Sequence, residues 1–174
     1  AFGISTAYDA YNYAYIIPGF FLVLLGGING PLHNSMVTLL AEKSKIESKF
    51  FLNSINNLLT LILLIISFFI FFSSDLLINL VGPSLTPEVK ELASSQLKIM
   101  SPIIFLSGLI GLSFGSLNAR KEFLIPSISP LISSIVIIIA ISGFWVNKEN
   151  ATDIYELDIK GGLILAKATF IGAL

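Results

Sequence analysis

The chain has 174 residues, of which 55% are hydrophobic and 12% charged, with a formal net charge of −1 and a mean hydropathy of +0.88. A composition so apolar excludes an ordinary soluble domain, and the lack of any basic tract argues against nucleic acid as a partner. With no cysteine and a single histidine, disulfides, thiolate chemistry and a metal site are not expected, and no cofactor is implied.

The chain opens on Ala1-Phe2-Gly3 with no initiator methionine and no visible signal peptide, and it closes inside the apolar run Phe170 to Leu174. Both ends therefore read as truncated, and an internal fragment of a longer polytopic protein is expected. Between Ala10 and Ala41 there is no charged residue. As one straight helix this stretch would be about 48 Å long, against roughly 30 Å of bilayer hydrocarbon. Pro18, and then the run Gly26-Gly27-Ile28-Asn29-Gly30-Pro31, predict a helix broken near mid-membrane. Backbone opened at that depth survives only against protein or a water-filled cavity, and transporters use such breaks as substrate sites. The residues around the break are therefore candidate substrate-binding residues: Asp9 at its mouth, and Asn29, Gly30, His33 and Asn34 at the break itself. Asp9 can pair with a cation, accept protons or meet water. His33 reads more readily as a polar packing residue than as a ligand.

The polar hinge Glu42 to Lys49 leads into a second span that carries no charge until Asp75. Asn53, Asn56, Asn57 and Thr60 recur at helical spacing on one of its faces, either as interhelical hydrogen-bonding groups or as a cavity wall. Residues 75–98 form a more polar stretch, in which Thr86-Pro87-Glu88 reads as a helix start with a capping hydroxyl. A third span follows from Ile99 to Ala119. Its Ser107, Gly111 and Gly115 make a small-residue face suited to close helix packing, and helices outside this chain are expected to cover it.

Arg120-Lys121-Glu122 is a tight charged turn. Phe123 to Val146 forms a fourth span with Pro126 and Pro130 in its first turns and Phe144-Trp145 at an interface. After the acid-rich stretch 147–160, Gly161 begins a last apolar segment carrying Lys167, which can snorkel to an interface or face a cavity and is a further candidate for substrate binding. The fold expected is all-α, a polytopic transmembrane bundle of about four spans plus the start of a fifth, with the first span broken. Basic residues cluster in the turns at 42–49 and 120–122, which places those turns in the cytoplasm. No nucleophile–base set, phosphate-cradling loop or zinc motif can be assembled, so the chain does not read as an enzyme.

Several short stretches carry a family resemblance: Ala1-Phe2-Gly3, Tyr8-Asp9-Ala10-Tyr11, Ile17-Pro18, Leu40-Ala41-Glu42, Gln96-Leu97-Lys98-Ile99 with Pro102, and Leu117-Asn118 with Phe123 and Ile125-Pro126. In this order and spacing the chain resembles the N-terminal part of the MviN/MurJ lipid II flippases, members of the multidrug/oligosaccharidyl-lipid/polysaccharide exporter superfamily. The resemblance implies that residues 1–174 are the N-terminal part of a larger transporter bundle, covering the family's second to fifth helices and entering its sixth. It implies alternating access in the cytoplasmic membrane for cell-wall synthesis. The partners would be lipid II, membrane lipids and the remaining helices of the full-length protein. Asp9 matches the family's aspartate at the start of the second helix, and Gly30 its glycine. The family's paired arginines are replaced by apolar residues around Leu24-Leu25, so cavity charge would come from Lys167 or from elsewhere in the protein. An ion-coupled exporter of drugs or cations, as in the related MATE branch, and a non-transporting membrane scaffold are the alternatives.

Overall fold

The computed structural model describes residues 6–27, 30–146 and 154–174. These form eight α-helices and one π-helical turn, with no strand among the described residues. The first span comprises α1 (Thr6–Phe21), the π-helical turn Leu22–Gly26 and, after the break, α2 (Pro31–Ala41). The second is α3 (Lys45–Phe72), followed by a short helix α4 (Ser74–Val81). The third is α5 (Pro87–Met100) running into α6 (Pro102–Ala119), the fourth is α7 (Leu124–Val146), and α8 (Ile154–Gly172) follows. Four stretches are long and apolar enough to cross a membrane: Thr6–Ala41, Ile46–Phe72, Pro87–Ala119 and Leu124–Val146. The expected bundle of about four spans, with the first one broken, is present.

The first, third and last helical stretches run side by side. Alanines 7, 10 and 14 recur every three or four residues on α1 and are fully buried, which lets α5 and α8 approach its backbone closely. The Gln96 amide donates to Ala7 O at 3.3 Å, and the Ala7 amide donates to Asp158 Oδ2 at 3.1 Å. One helical turn and more along, Tyr11 meets Thr169, so α1 and α8 are parallel. Leu97, Met100, Ile103 and Ile104, all fully buried, fill the centre of the resulting core.

α3 and α7 lie outside this layer and present Leu61, Ile65, Phe68, Phe69, Leu131, Ile135, Ile138 and Ile139 to the surroundings. On a soluble protein such a surface would mark an interface; here it matches a wall of lipid tails. α3 starts on a capping box, in which the Ser44 hydroxyl accepts from the Glu47 amide and the Glu47 carboxylate accepts from the Ser44 amide. Thr86 stands at the N-cap of α5 as expected, with Pro87 in the first turn, but its hydroxyl makes no capping bond. The proline alone, which needs no partner for its missing N–H, marks this start.

Two departures from expectation concern helix packing. α4, within the stretch read only as polar, is held to α5 by Ser94, whose hydroxyl donates to Asp75 Oδ1, and by Lys98, which is 3.3 Å from Asp75 Oδ2. The Ser94 hydrogen bond, and then Lys98, hold the Asp75 carboxyl below the usual carboxylate range. The small-residue face of α6 is not left open for outside helices. Gly111 and Gly115 are buried within this chain, because the broken first span packs onto them.

The turns at 42–44 and 120–123 share one end of the bundle, where Lys43, Ser48 and Arg120 line a common cleft. Asp75, Lys98 and the start of α1 occupy the other end. With the basic turns in the cytoplasm, single cysteines at Lys121 and Glu88 of the full-length protein should behave oppositely in intact cells. An impermeant thiol reagent should label position 88 and leave 121 untouched, and labelling at 121 would invert the orientation.

Candidate functional site

Pro18 is buried and does not interrupt α1, which continues to Phe21. The break comes one turn later. At Leu22–Gly26 the helix widens into a π-turn, a local unwinding found disproportionately at functional positions. Gly27 then leaves helical geometry at φ −69°, ψ 140°, and Gly30 caps the start of α2 at φ −67°, ψ 163°. The Gly30 amide donates to Gly27 O at 2.9 Å, and Gly30 O accepts from the Asn34 amide at 3.0 Å. Two of the backbone groups released by the break are thereby satisfied locally, as hydrocarbon depth requires.

Glycine is needed here for space. A Cβ on Gly26 would lie 3.0 Å from Ser107 O, and one on Gly30 only 2.8 Å from Val23 O. Across the contact, a Cβ on Gly111 of α6 would fall 1.8 Å from Leu25 O, and one on Gly115 would fall 2.6 Å from Met36 Cβ. The unwound turn is thus seated in a groove that the small residues of α6 leave open.

Next to this seat is a cavity of about 680 Å³ between the broken span, α6, α7 and α8. Gly19, Gly26 and Gly27 contribute bare backbone to its wall, α7 contributes Ser129 and Ser133, and α8 contributes Thr169. The Thr169 hydroxyl donates to Leu165 O at 2.8 Å, which leaves it to accept from the Tyr11 hydroxyl, also at 2.8 Å. Tyr11 stacks on Tyr15, a residue of the cavity wall, with ring centroids 5.7 Å apart. The lining is mostly apolar with a few hydroxyls.

The sequence-predicted residues are distributed differently. Gly30, His33 and Asn34 lie together at the start of α2. His33 is buried and turned toward α6, where its Nε2 accepts from Asn118 Nδ2 at 2.7 Å, so Nδ1 carries the proton and faces Asn34 Oδ1 at 3.2 Å. It pins α2 to α6, the packing role its sequence context favoured. Asn34 is exposed, and Asn29 lies outside the described residues. Asp9 is in the first turn of α1, some 27 Å from the break along the helix axis, so the two are not one cluster. It is exposed on the same stripe as Asn12, Ile16 and Phe20. Lys167 is exposed on the face of α8 that carries Lys160 and Ile171. None of the five described residues among them lines the 680 Å³ cavity. Sequence reading missed Tyr15, Ser129, Ser133 and Thr169. The serines flank Pro130 at i and i+4, a spacing that could have signalled a shared face.

A polytopic helical bundle with one span unwound against a small-residue groove and a cavity beside the break defines a membrane protein of the broken-helix kind. Comparison with known proteins specifies it further. The family model described as "Lipid II flippase MurJ" matches residues 1–174. A Synechocystis protein named as a probable lipid II flippase MurJ is 42% identical over 99% of this chain, and a Thermosipho africanus lipid II flippase MurJ is 38% identical over 79%. A solved structure titled "Lipid II flippase MurJ, inward closed conformation" superposes with a TM-score of 0.75 at 31% identity, over 99% of this chain. The chain belongs to the lipid II flippase MurJ family. It spans about a third of the length of these relatives, 32% of the Synechocystis protein and 35% of the solved chain.

Proposed function

We propose that this chain is the N-terminal part of a flippase that moves a lipid-linked peptidoglycan precursor, lipid II, across the cytoplasmic membrane by alternating access, a transport rather than a catalytic role. The observation that carries the reading is the unwound turn Leu22–Gly26, packed on α6 through Leu25 and Gly26 beside an open cavity in a chain of this family. A break of this kind costs backbone hydrogen bonds, and its retention in a membrane span suits a segment that changes shape as access alternates.

In this reading the exposed stripe of the first span, Asp9 with Asn12, and the exposed Lys167 face the helices that complete the translocation path. Asp9 and Lys167 carry no hydrogen bond or ion pair among the described residues, so both charges are available to partners there. Lys167 would meet the diphosphate, and Asp9 would balance a cation of the completed cavity. Gly30, with Asn29, His33 and Asn34, would form the flexing joint.

The test is translocation of lipid II by the full-length protein in vesicles, followed by its access to an added lipid II-cleaving enzyme. Transport above protein-free vesicles is expected. Asp9→Ala should slow it by about tenfold or more, the worth of one lost charge-assisted contact. Export of a cationic dye without lipid II movement would replace the reading with a cation exporter, and neither activity would leave a scaffold.

A further inference from the structure

At the basic end of the bundle, the first turns of α3 and the end of α6 flank an open groove of about 580 Å³, lined by Ile46, Lys49, Phe50, Asn53 and Arg120. Lys49 and Arg120 face this space together, and neither side chain has an ion-pair or hydrogen-bond partner among the described residues. The nearby acid Glu47 is engaged elsewhere, its carboxylate accepting from the Ser44 amide at 3.0 Å and from the Ser44 hydroxyl at 2.7 Å. Lys43 is also occupied, 5.2 Å over the Phe51 ring. The positive end of the α3 helix dipole adds to the field. Two uncompensated cations and a helix N-terminus thus converge where the chain meets one membrane surface.

The exposed surface of α3, followed from this groove along the i, i+4 row that winds around the helix, changes character with depth. Asn53 stands about 6 Å deeper than Lys49 along the helix, and Asn57 about 12 Å. Both are exposed, and neither side-chain amide has a hydrogen-bond partner among the described residues. Beyond them the exposed residues are hydrocarbon, Leu61, Ile65 and Phe68, while Ile46 and Phe50, 84% and 77% exposed, flank the cations at the surface. Cation, amide and hydrocarbon follow one another in the order phosphate, glycerol ester and acyl chain of a membrane lipid. A soluble phosphate would use only the first of these groups.

We propose that this groove binds the headgroup of an anionic phospholipid, with Lys49 and Arg120 on the phosphate, Asn53 donating to a glycerol ester carbonyl, and the exposed hydrocarbon surface that winds around α3 below them carrying the acyl chains. The site is separate from the broken span and does not depend on the transported substrate.

Native mass spectrometry of the purified full-length protein, titrated with phosphatidylglycerol or phosphatidylcholine, tests it. Wild type should retain phosphatidylglycerol about tenfold better, and Lys49→Gln and Arg120→Gln should each reduce that preference about fivefold. Lys90→Gln, at the other end of the bundle, and the charge-keeping Lys49→Arg should leave it intact, with unchanged thermal midpoints showing that the variants fold. Millimolar glycerophosphate should not displace the lipid. Equal retention of the two lipids by wild type, as a protein helix covering the face would produce, overturns the proposal. So does an unchanged preference in the double variant, or displacement by glycerophosphate.

Discussion

Gly111→Leu should be the most damaging single change in this chain. Even the first carbon of the new side chain would fall 1.8 Å from Leu25 O and 2.8 Å from Leu25 C, and these are backbone atoms that cannot rotate away. The π-turn would have to lift off α6, taking the Gly26–Ser107 contact with it. Overpacking of this severity costs about 3 kcal/mol, enough to unseat a span. Gly108→Ala provides a contrast, because its Cβ would meet Leu63 Cδ1, the far end of a side chain that can change rotamer. Thermal unfolding of the two full-length variants in nanodiscs should show a large loss for Gly111→Leu and a small one for Gly108→Ala. Equal midpoints would mean that α6 does not seat the broken span.

Gly30→Leu should abolish activity with a smaller effect on stability. The Gly30 Cβ position is 2.8 Å from Val23 O and 3.0 Å from Gly27 O, so a branched side chain wedges the joint between the π-turn and α2. The joint can open to accept it, at about 1–3 kcal/mol, but cannot then close again. Complementation of a flippase-depleted strain, scored at matched protein level, should fail for Gly30→Leu. It should succeed for Gly143→Leu, where nothing lies within 4 Å of the Cβ position. Full complementation by Gly30→Leu would reduce the break to packing.

The spans were legible because hydrocarbon thickness and charge-free length are one-dimensional properties, and a glycine-proline run such as 26–31 has few structural readings. The exact unwinding was not. Pro18 looks like the breaker, yet α1 passes through it, and the π-turn at Leu22–Gly26 is written in ordinary apolar residues. The groove that accommodates that turn is tertiary, formed by Gly111 and Ser107 some 85 residues away. The small-residue face of α6 was recognised, but its partner was sought outside the chain, because spacing shows that a face packs closely without showing against what. The same limit applied to His33, whose partner Asn118 lies on another span. The cavity hydroxyls escaped because serine and threonine are common in membrane helices, and only the folded arrangement distinguishes Thr169, held by Tyr11, from the rest.

The seating of the unwound turn on α6 also has a consequence for synthesis. Leu25 is made long before Gly111. At ordinary translation rates of about 5–20 residues per second, its seat arrives on the order of 4–17 s later. Throughout that interval the unwound turn has no groove to pack into, and its backbone stands uncovered against hydrocarbon, which offers polar groups no partner. The first span must therefore wait, beside the insertion machinery or near water, until the third has been delivered. Any slowing of elongation between the two lengthens the time during which the nascent chain is exposed to misassembly and proteolysis.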